Sequence, residues 1–232
     1  MPTVVGELGT DSCAASSTTL NPTPPSMNPL ETARELAAMA QTGLHFSEDH
    51  FDRERYQRLA EIAAELLANQ SEHSAKEIHN WSSAEFGYAT PKVDVRAYIE
   101  RNGEVFLIRE DQDDGRWTLP GGWADVNSSP KENVIREVKE ESGYDIEVLS
   151  LLAVYDREKQ GHQPPFPYHI YKLFFHAMIV GGSHQANYES SECGFFPFDS
   201  LPELSLGRVL PQQILAFAEQ CRDGAPPLTS FD

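Results

Sequence analysis

Residues 122–144, GWADVNSSPKENVIREVKEESGY, are the stretch that most constrains the fold and the chemistry of this chain. Glu137, Glu140 and Glu141 follow an i, i+3, i+4 spacing, which places all three carboxylates on one face of an α-helix. Like charges on one face repel each other, so the arrangement is unfavourable unless cations lie among them. Hard divalent cations such as Mg²⁺ bind oxygen ligands of this kind. The segment therefore predicts a helix that carries a metal site, and such a site indicates phosphate chemistry.

The composition argues against several classes of partner. The chain has 232 residues, a hydrophobic fraction of 40% and a formal net charge of −18. Nucleic-acid binding depends on Lys and Arg against phosphates, so this charge argues against a nucleic-acid partner. An acidic protein that handles phosphates is expected to do so through metal ions. No apolar run approaches the length of a membrane span, so we expect no membrane partner.

The cysteines and the N-terminal residues predict a cytoplasmic protein. Cys13, Cys193 and Cys221 are far apart, which fits neither a disulfide framework nor a zinc site. The first residues show no basic region followed by an apolar run, so no secretory signal is predicted. Both observations suit a reducing compartment.

Three regions follow from the patterns along the chain. Residues 1–27 are rich in Thr, Ser, Pro and Gly, so we predict a disordered tail. Residues 28–88 are the predicted N-terminal helical domain and connector. Apolar stripes indicate two helices there, Gly43 is expected to end the first, and a polar connector is expected over about residues 71–91. Two short helices cannot form an independent core, so they must pack on the main domain (residues 89–232), on a partner chain, or on both.

The main domain combines strands with a helix inserted after a hairpin. Alternating apolar residues on both sides of Asn102-Gly103 predict a β-hairpin. Ser129 and Glu132 form a capping box that begins the acidic helix, and Gly143 is a natural terminator. Further strands are predicted at residues 147–155, 169–180 and 194–198, and a closing helix at residues 211–220. This order favours an α/β (α+β) fold with a mixed sheet over a regular βαβ array.

The acidic segment resembles the Nudix box, G-x5-E-x7-R-E-U-x-E-E-x-G-U, in which U is a bulky apolar residue. The matching positions are Gly122, Arg136, Glu137, Val138, Glu140, Glu141, Gly143 and Tyr144. One position departs, because Ser128 stands where the pattern has its first glutamate. The run GRWTLPGGW at residues 115–123 and the helical segment before it are similar to the Nudix subgroup with an N-terminal helical domain. The resemblance implies a Nudix-type α/β/α sandwich with a mixed sheet, plus a small N-terminal helical domain.

The resemblance also implies an activity. Members of this subgroup hydrolyse the pyrophosphate bond of nucleoside diphosphates linked to another group X, such as UDP-sugars, CDP-choline or ADP-ribose, with Mg²⁺ or Mn²⁺. Cations that bridge the attacking and leaving oxygens neutralise their charge, which agrees with the acidic helix. The alternatives are a Nudix hydrolase of dinucleoside polyphosphates or nucleoside triphosphates, and a non-catalytic nucleotide-binding regulatory module. The subgroup further implies a homodimer.

Roles for single residues follow from the matching positions. Glu140 and Glu141 are the implied metal ligands, and Glu137 is either a ligand or the general base. Gly122 is expected to offer its backbone carbonyl to a metal. Arg136 is expected to orient the glutamates through charge-assisted hydrogen bonds.

Other candidate site residues lie after the acidic helix. A later loop is expected to supply one more acidic residue as ligand or base, and the candidates are Glu189 and Glu192. Glu192 is slightly favoured because it directly precedes a predicted strand. Arg157, at a strand end, and Phe166 and Tyr168, in a Pro-rich loop, are candidate substrate contacts, since an aromatic ring can stack on a base.

The Ser128 departure generates a prediction about metal affinity. Glu132 lies one helical turn before Arg136 and is expected to pair with it, which partly replaces the missing glutamate. We therefore expect an active enzyme with weakened metal affinity. Ser128→Glu should lower the Mg²⁺ or Mn²⁺ concentration that gives the half-maximal rate, and an unchanged or raised concentration would contradict this.

Overall fold

The computed structural model describes residues 28–85, 87–186, 190–222 and 227–232. The predicted disordered tail, residues 1–27, lies outside the described residues, as does Glu189. The predicted boundary between the two domains, after residue 88, stays a prediction.

Three helices form the N-terminal part: α1 (Pro29–Phe46), α2 (His50–Ala68) and α3 (Ala75–Ser83). They bury a small apolar core that consists of Leu30, Ala33, Ala64, Leu67 and Ile78. Packing of these stripes against each other explains why the two predicted helices form. The core is small, so the helices are still expected to need contacts with the main domain, with a partner chain, or with both.

Two predictions for this region are wrong. The expected connector over residues 71–91 contains α3, which Ser74 and Glu77 begin with a capping box. Gly43 does not end α1, because the helix continues to Phe46. A Cβ atom at Gly43 would lie 2.4 Å from Cε1 of Tyr56, so this glycine permits the close approach of α1 and α2.

The remaining chain forms one mixed sheet. Its strands are β1 (Lys92–Arg101), β2 (Glu104–Glu110), β3 (Arg116–Thr118), β4 (Tyr144–Asp156), β5 (Ile170–Gly182), β6 (Cys193–Pro197) and β7 (Ser230–Phe231). The order is β3-β2-β1-β5-β4-β7, and β6 pairs with β2. Strands β1 and β5 run parallel, whereas β4 and β5, like β1 and β2, run antiparallel.

A helix covers each face of this sheet. Val134 and Val138 of α4 (Pro130–Ser142) pack into one apolar cluster, and Ile214 and Phe217 of α5 (Pro211–Cys221) pack into the other. The predicted α/β/α sandwich with a mixed sheet and preceding helices is therefore confirmed.

Local sequence fixes both ends of α4. The Ser129 side chain accepts from the backbone N–H of Glu132, and the Glu132 carboxylate accepts from the backbone N–H of Ser129, as predicted. At the other end Gly143 adopts a left-handed conformation with φ 81°, and Lys139 Nζ donates to its carbonyl at 3.0 Å. Because both ends are fixed, the carboxylates on the helix have defined positions.

A glycine turn lies against this helix. The segment 120–124 pairs along β1: the N–H of Ala97 donates to Pro120 O at 2.9 Å, and the N–H of Val95 donates to Gly122 O at 2.8 Å. Gly121 has φ 138°, and a Cβ atom there would lie 2.0 Å from Val95 O. Only glycine fits this turn without displacing β1.

The turn provides a stability prediction. Gly121→Ala should lower the free energy of unfolding by at least about 3 kcal/mol, because the added carbon meets backbone atoms of β1. Gly103→Ala is the matched control, since Gly103 has φ 82° and open space around it; it should cost about 1–2 kcal/mol from backbone strain alone. Urea unfolding of both variants measures the difference, and equal costs would contradict the proposed clash.

Candidate active site

The glycine turn and α4 bring two carboxylates together. Gly121 N–H donates to Glu141 Oε2 at 2.7 Å. A Cβ atom at Gly122 would lie 2.6 Å from Glu137 Oε2, so this glycine leaves the space that the Glu137 carboxylate fills. The backbone of the turn and the acidic face of the helix therefore form one structural unit.

Glu141 is the most deeply buried of the three glutamates on this face, with 6% of its surface exposed. Burial raises its pKa to about 8, although the nearby Arg96 guanidinium and the Gly121 N–H oppose the shift. Glu137 also has a raised pKa, mainly from burial. A cation beside these carboxylates would favour their ionised forms.

Arg136 is the centre of an ion cluster on the exposed side of α4. Its guanidinium lies 2.7 Å from Glu137 Oε1, 2.6 Å from Glu140 Oε2 and 3.0 Å from Asp125 Oδ2. The guanidinium thus lies between Glu137 and Glu140, and its role in orienting them stays a prediction. The expected partner Glu132 instead binds Ser129 in the cap, so Asp125 is the additional carboxylate on Arg136.

Sequence reasoning missed a buried ion network on β1 and β5. Arg96 Nη2 lies 2.8 Å from Asp94 Oδ2, and Lys172 Nζ lies 2.5 Å from Asp94 Oδ1. All three side chains are almost fully buried. Burial alone would raise the pKa of Asp94, but Arg96 and Lys172 lower it to about 2. Burial lowers the pKa of Lys172 to about 8 against the opposing effect of Asp94.

The register of the sheet explains how this network forms. Asp94 and Lys172 are Cα partners in the parallel β1–β5 pair, and Arg96 lies two residues along the same face. The available signal was weak, because Asp94 and Arg96 also fit the polar positions of an alternating strand, Lys92–Arg101. Only the structure shows that β1 is a central strand, where charges are costly unless they are paired.

The acidic face of α4 and the buried ion network of β1 and β5 line one cavity of about 1100 Å³. Its lining includes Glu141, Arg96, Lys172, Arg157, Trp123 and Phe166. The helical N-terminal part also contributes, through Glu72 and His73. The cavity thus joins an acidic cluster, buried cations and aromatic rings, which are the groups that a metal-bound phosphate ester with a flat ring requires.

The structure brings together most, but not all, of the predicted site residues. Arg157 and Phe166 line this cavity, whereas Tyr168 lines a second cavity and stacks on Trp81, with ring centroids 6.1 Å apart. Glu192 is outside the lining of the acidic cavity; it is an exposed residue paired with Arg109 at 3.1 Å. Glu189, the other candidate from that loop, has no described position.

The donors suit a hard divalent cation, although they are arranged around Arg136. Among the described residues, no three Asp, Glu, His or Cys side chains form a ready-made metal cage. Glu137 and Glu140 each contact Arg136 through one carboxylate oxygen. A carboxylate has two oxygens, so it can contact a guanidinium and a cation at the same time. The Gly122 carbonyl accepts from Val95 N–H and retains a second lone pair. Oxygen donors of this type are those that Mg²⁺ and Mn²⁺ bind.

Comparison with known families decides which family this architecture represents. The profile of the NUDIX domain matches residues 90–216. The chain belongs to the Nudix family. A second profile, described as the UDP-X-like, N-terminal oligomerisation domain of Nudix proteins, matches residues 28–82.

Similar proteins agree with this assignment. YjhB of Bacillus subtilis (strain 168), a candidate ADP-ribose pyrophosphatase, is 45% identical over 185 residues, which cover 80% of this Nudix chain and 88% of YjhB. The crystal structure of a UDP-X diphosphatase has a TM-score of 0.57 and 33% identity, and the match covers 88% of this chain and 97% of that one. The crystal structure of an ADP-ribose pyrophosphatase from Streptococcus suis has a TM-score of 0.55 and 38% identity. This match covers 62% of the present chain and 100% of the Streptococcus suis chain.

The family assignment gives the reaction class. This Nudix protein is a pyrophosphohydrolase, and enzymes of the family generally need a divalent cation. Within the described residues, no helix is both long and apolar enough to cross a membrane.

Burial of Glu141 predicts a pH-dependent stability difference. Its pKa is raised from 4.5 to about 8 in the folded chain, so its carboxyl stabilises the fold below pH 4.5 and loses this contribution as the pH rises towards 8. Glu141→Gln has the same shape and does not ionise. With a metal chelator present, the variant should therefore gain stability over the wild type between pH 5 and 8, by on the order of 3 kcal/mol. Urea unfolding at both pH values measures this gain; a difference that does not change with pH would contradict it.

Proposed function

We propose that this Nudix hydrolase cleaves the pyrophosphate bond of a nucleoside diphosphate linked to a group X, with ADP-ribose as the first candidate substrate and UDP-sugars as the second. The observation that carries the proposal is the single cavity in which the acidic face of α4 meets Arg96, Lys172 and an aromatic wall. The similarity to a candidate ADP-ribose pyrophosphatase and to a UDP-X diphosphatase supports the same substrate class.

Different residues of the cavity are proposed to bind the diphosphate and the nucleobase of the substrate. Arg96 and Lys172 neutralise the diphosphate, because both are cations held in place by one buried carboxylate, Asp94. Phe166 and Trp123 provide flat apolar surfaces, and their ring centroids lie 6.4 Å apart. A nucleobase is the flat ring that every substrate of this class contains, so the aromatic wall is proposed as its place.

The acidic residues act on the water and on the cation. Mg²⁺ or Mn²⁺, when bound, supplies charge neutralisation at the attacked phosphorus. Glu140 and Glu141, with the Gly122 carbonyl, are proposed as its ligands, and Glu137 as a ligand or as the base that takes a proton from the attacking water. The water oxygen forms a bond to phosphorus, the bond from phosphorus to the bridging oxygen breaks, and the electron pair leaves on the departing phosphate. The products are a nucleoside monophosphate and phospho-X.

We also propose a homodimer formed through the helical N-terminal part. This region matches a domain described as an oligomerisation domain. Met39, Phe46 and Phe51 of α1 and α2 expose between 50% and 66% of their surfaces. Large exposed apolar side chains in one region suit a contact with a second copy of the chain.

A cytoplasmic location is proposed from the chemistry of the cysteines. The two described cysteines, Cys193 and Cys221, are free thiols. Free thiols persist in a reducing compartment.

A substrate panel tests the proposed activity. ADP-ribose, UDP-glucose, CDP-choline and a deoxynucleoside triphosphate are incubated with the enzyme and Mg²⁺ or Mn²⁺, and the products are identified. We expect nucleoside monophosphate and phospho-X from at least one of the first three, at a higher kcat/KM than for the triphosphate. Preference for the triphosphate would favour the alternative Nudix activity, and nucleotide binding without any turnover would favour a regulatory module.

A matched pair of variants tests the metal ligands. Glu140→Gln should lower kcat at least about 100-fold, since a neutral amide is a poor ligand for the cation. Glu219→Gln is the control, because Glu219 is also an exposed helical glutamate paired with an arginine, Arg222. It should leave kcat within twofold of the wild type. Near-normal turnover by Glu140→Gln at limiting metal would make this ligand assignment wrong.

A further inference from the structure

The loop between β4 and β5, residues 157–169, carries Phe166 to the catalytic cavity. The Phe166 ring faces Trp123 with an interplanar angle of 37°, and His73 contacts it edge-on with centroids 5.6 Å apart. Phe166 is therefore the middle ring of the aromatic wall. Its position depends on where the backbone of this loop is held.

Arg34 of α1 holds the loop at Phe166. Its Nη2 donates to the Phe166 carbonyl, and its Nε donates to the Pro167 carbonyl at 3.2 Å. The same guanidinium lies 3.1 Å from Glu158 Oε1, and only 11% of the Arg34 side chain is exposed. A guanidinium has five donors in a rigid plane, so it can fix two adjacent carbonyls and a carboxylate at once.

The rest of the loop has different anchors. Arg157 Nη2 donates to the Pro164 carbonyl at 2.6 Å, and His162 Nδ1 and the Gln163 N–H both contact Leu206 O. These contacts fix residues 162–164 from within the Nudix domain. The backbone at Phe166 and Pro167 is held from the helical domain, by Arg34, while the Phe166 ring also lies 5.8 Å from the Arg157 guanidinium carbon.

Arg34 itself lies on a rigid support. α1 begins with a side-chain cap at Asn28, and the neighbouring Leu30 and Ala33 are buried in the core of the helical domain. Groups that are held by packed helices keep their geometry better than groups on free loops. The Arg34 guanidinium therefore holds the backbone at Phe166 at a fixed distance from α1.

We propose that Arg34 is a positioning residue for substrate recognition, and that the helical domain sets the affinity for the nucleobase by fixing Phe166 through it. This inference rests on the proposed function for the identity of the ligand. It assigns the helical domain a role in the active site of its own chain, in addition to assembly. The ligand group concerned is a flat heteroaromatic ring, because the rings of Phe166, Trp123 and His73 present faces and edges on which such a ring can stack.

A merely structural role for Arg34 has different consequences. If it served only to attach the helical domain, its loss would lower stability and weaken every ligand equally. A positioning role weakens ligands that carry a base and spares ligands that carry only the diphosphate. Inorganic pyrophosphate, ADP and UDP provide this contrast.

The test uses the full chain with three substitutions. Arg34→Met removes the donors but keeps an extended side chain, and Arg34→Lys keeps the charge opposite Glu158. Arg53→Met is the matched control, because Arg53 also lies in the helical domain and donates to two backbone carbonyls, those of Leu44 in the last turn of α1 and of Ser47 just after it. Calorimetric binding of ADP, UDP and inorganic pyrophosphate is measured with Mg²⁺ present, and thermal unfolding is recorded for each variant.

For Arg34→Met we expect about tenfold weaker binding of ADP or UDP, with pyrophosphate binding within twofold of the wild type. The affinity of Arg34→Lys for ADP or UDP should lie between those of the wild type and Arg34→Met. Arg53→Met should leave the affinities for all three ligands unchanged, even if it lowers the unfolding temperature. On a substrate that the wild type turns over, Arg34→Met should raise KM and leave kcat within twofold.

Several results would overturn the inference. They are equal losses for pyrophosphate and the nucleotides, unchanged nucleotide affinity in Arg34→Met, or a wild type that binds ADP, UDP and pyrophosphate equally well. Absence of turnover on the substrate panel, together with selective loss of nucleotide binding in Arg34→Met, would refute the proposed activity and leave the role of Arg34 standing.

Discussion

The hydrogen bond from the Gly121 N–H to the buried carboxylate of Glu141 is the contact on which the rest of the site depends. It joins the glycine turn along β1 to the last turns of α4. The turn can approach β1 only because Gly121 lacks a side chain, and the helix is placed by caps at both ends. Burying the ionised carboxylate of Glu141 costs free energy in the absence of a partner charge. A cation bound beside it would offset this cost, so the fold keeps a locally unfavourable group where the metal is proposed to bind.

Charge is distributed unevenly in this acidic protein. The chain as a whole carries a formal net charge of −18, yet Arg96, Lys172 and Arg157 are buried at the catalytic cavity. A negatively charged surface repels polyanions, whereas the buried cations are proposed to bind the diphosphate of a compact substrate. Arg96 also lies close enough to Glu141 to oppose the rise of its pKa, so the groups proposed to bind phosphate and metal are electrostatically coupled.

Local chemistry made α4 predictable. Its capping box, its terminating Gly143 and its acidic face lie within a short stretch, and the structure contains all of them. The connector prediction failed at α3 because its capping box and short apolar stripe are weak signals beside a polar composition. Gly43 was misjudged because a glycine that ends a helix and one that admits a neighbouring ring, here Tyr56, have the same sequence signal.

Contacts between distant segments could not be predicted in the same way. Asp94 and Lys172 meet only because β1 and β5 pair in one register, and nothing in either strand alone specifies that register. The same limit applies to Arg34, which is more than one hundred residues before the loop it holds, and to Asp125, which takes the place beside Arg136 that was expected for Glu132.

Direct titration of Mn²⁺, followed by electron paramagnetic resonance, tests most directly whether the acidic face of α4 holds the cation. The wild type and Glu219→Gln should bind Mn²⁺ with the same affinity, and Glu141→Gln should bind it at least about tenfold more weakly, because the buried oxygen ligand has lost its charge. If Glu141→Gln, correctly folded, binds Mn²⁺ as tightly as the wild type, the metal site lies elsewhere and the account is wrong.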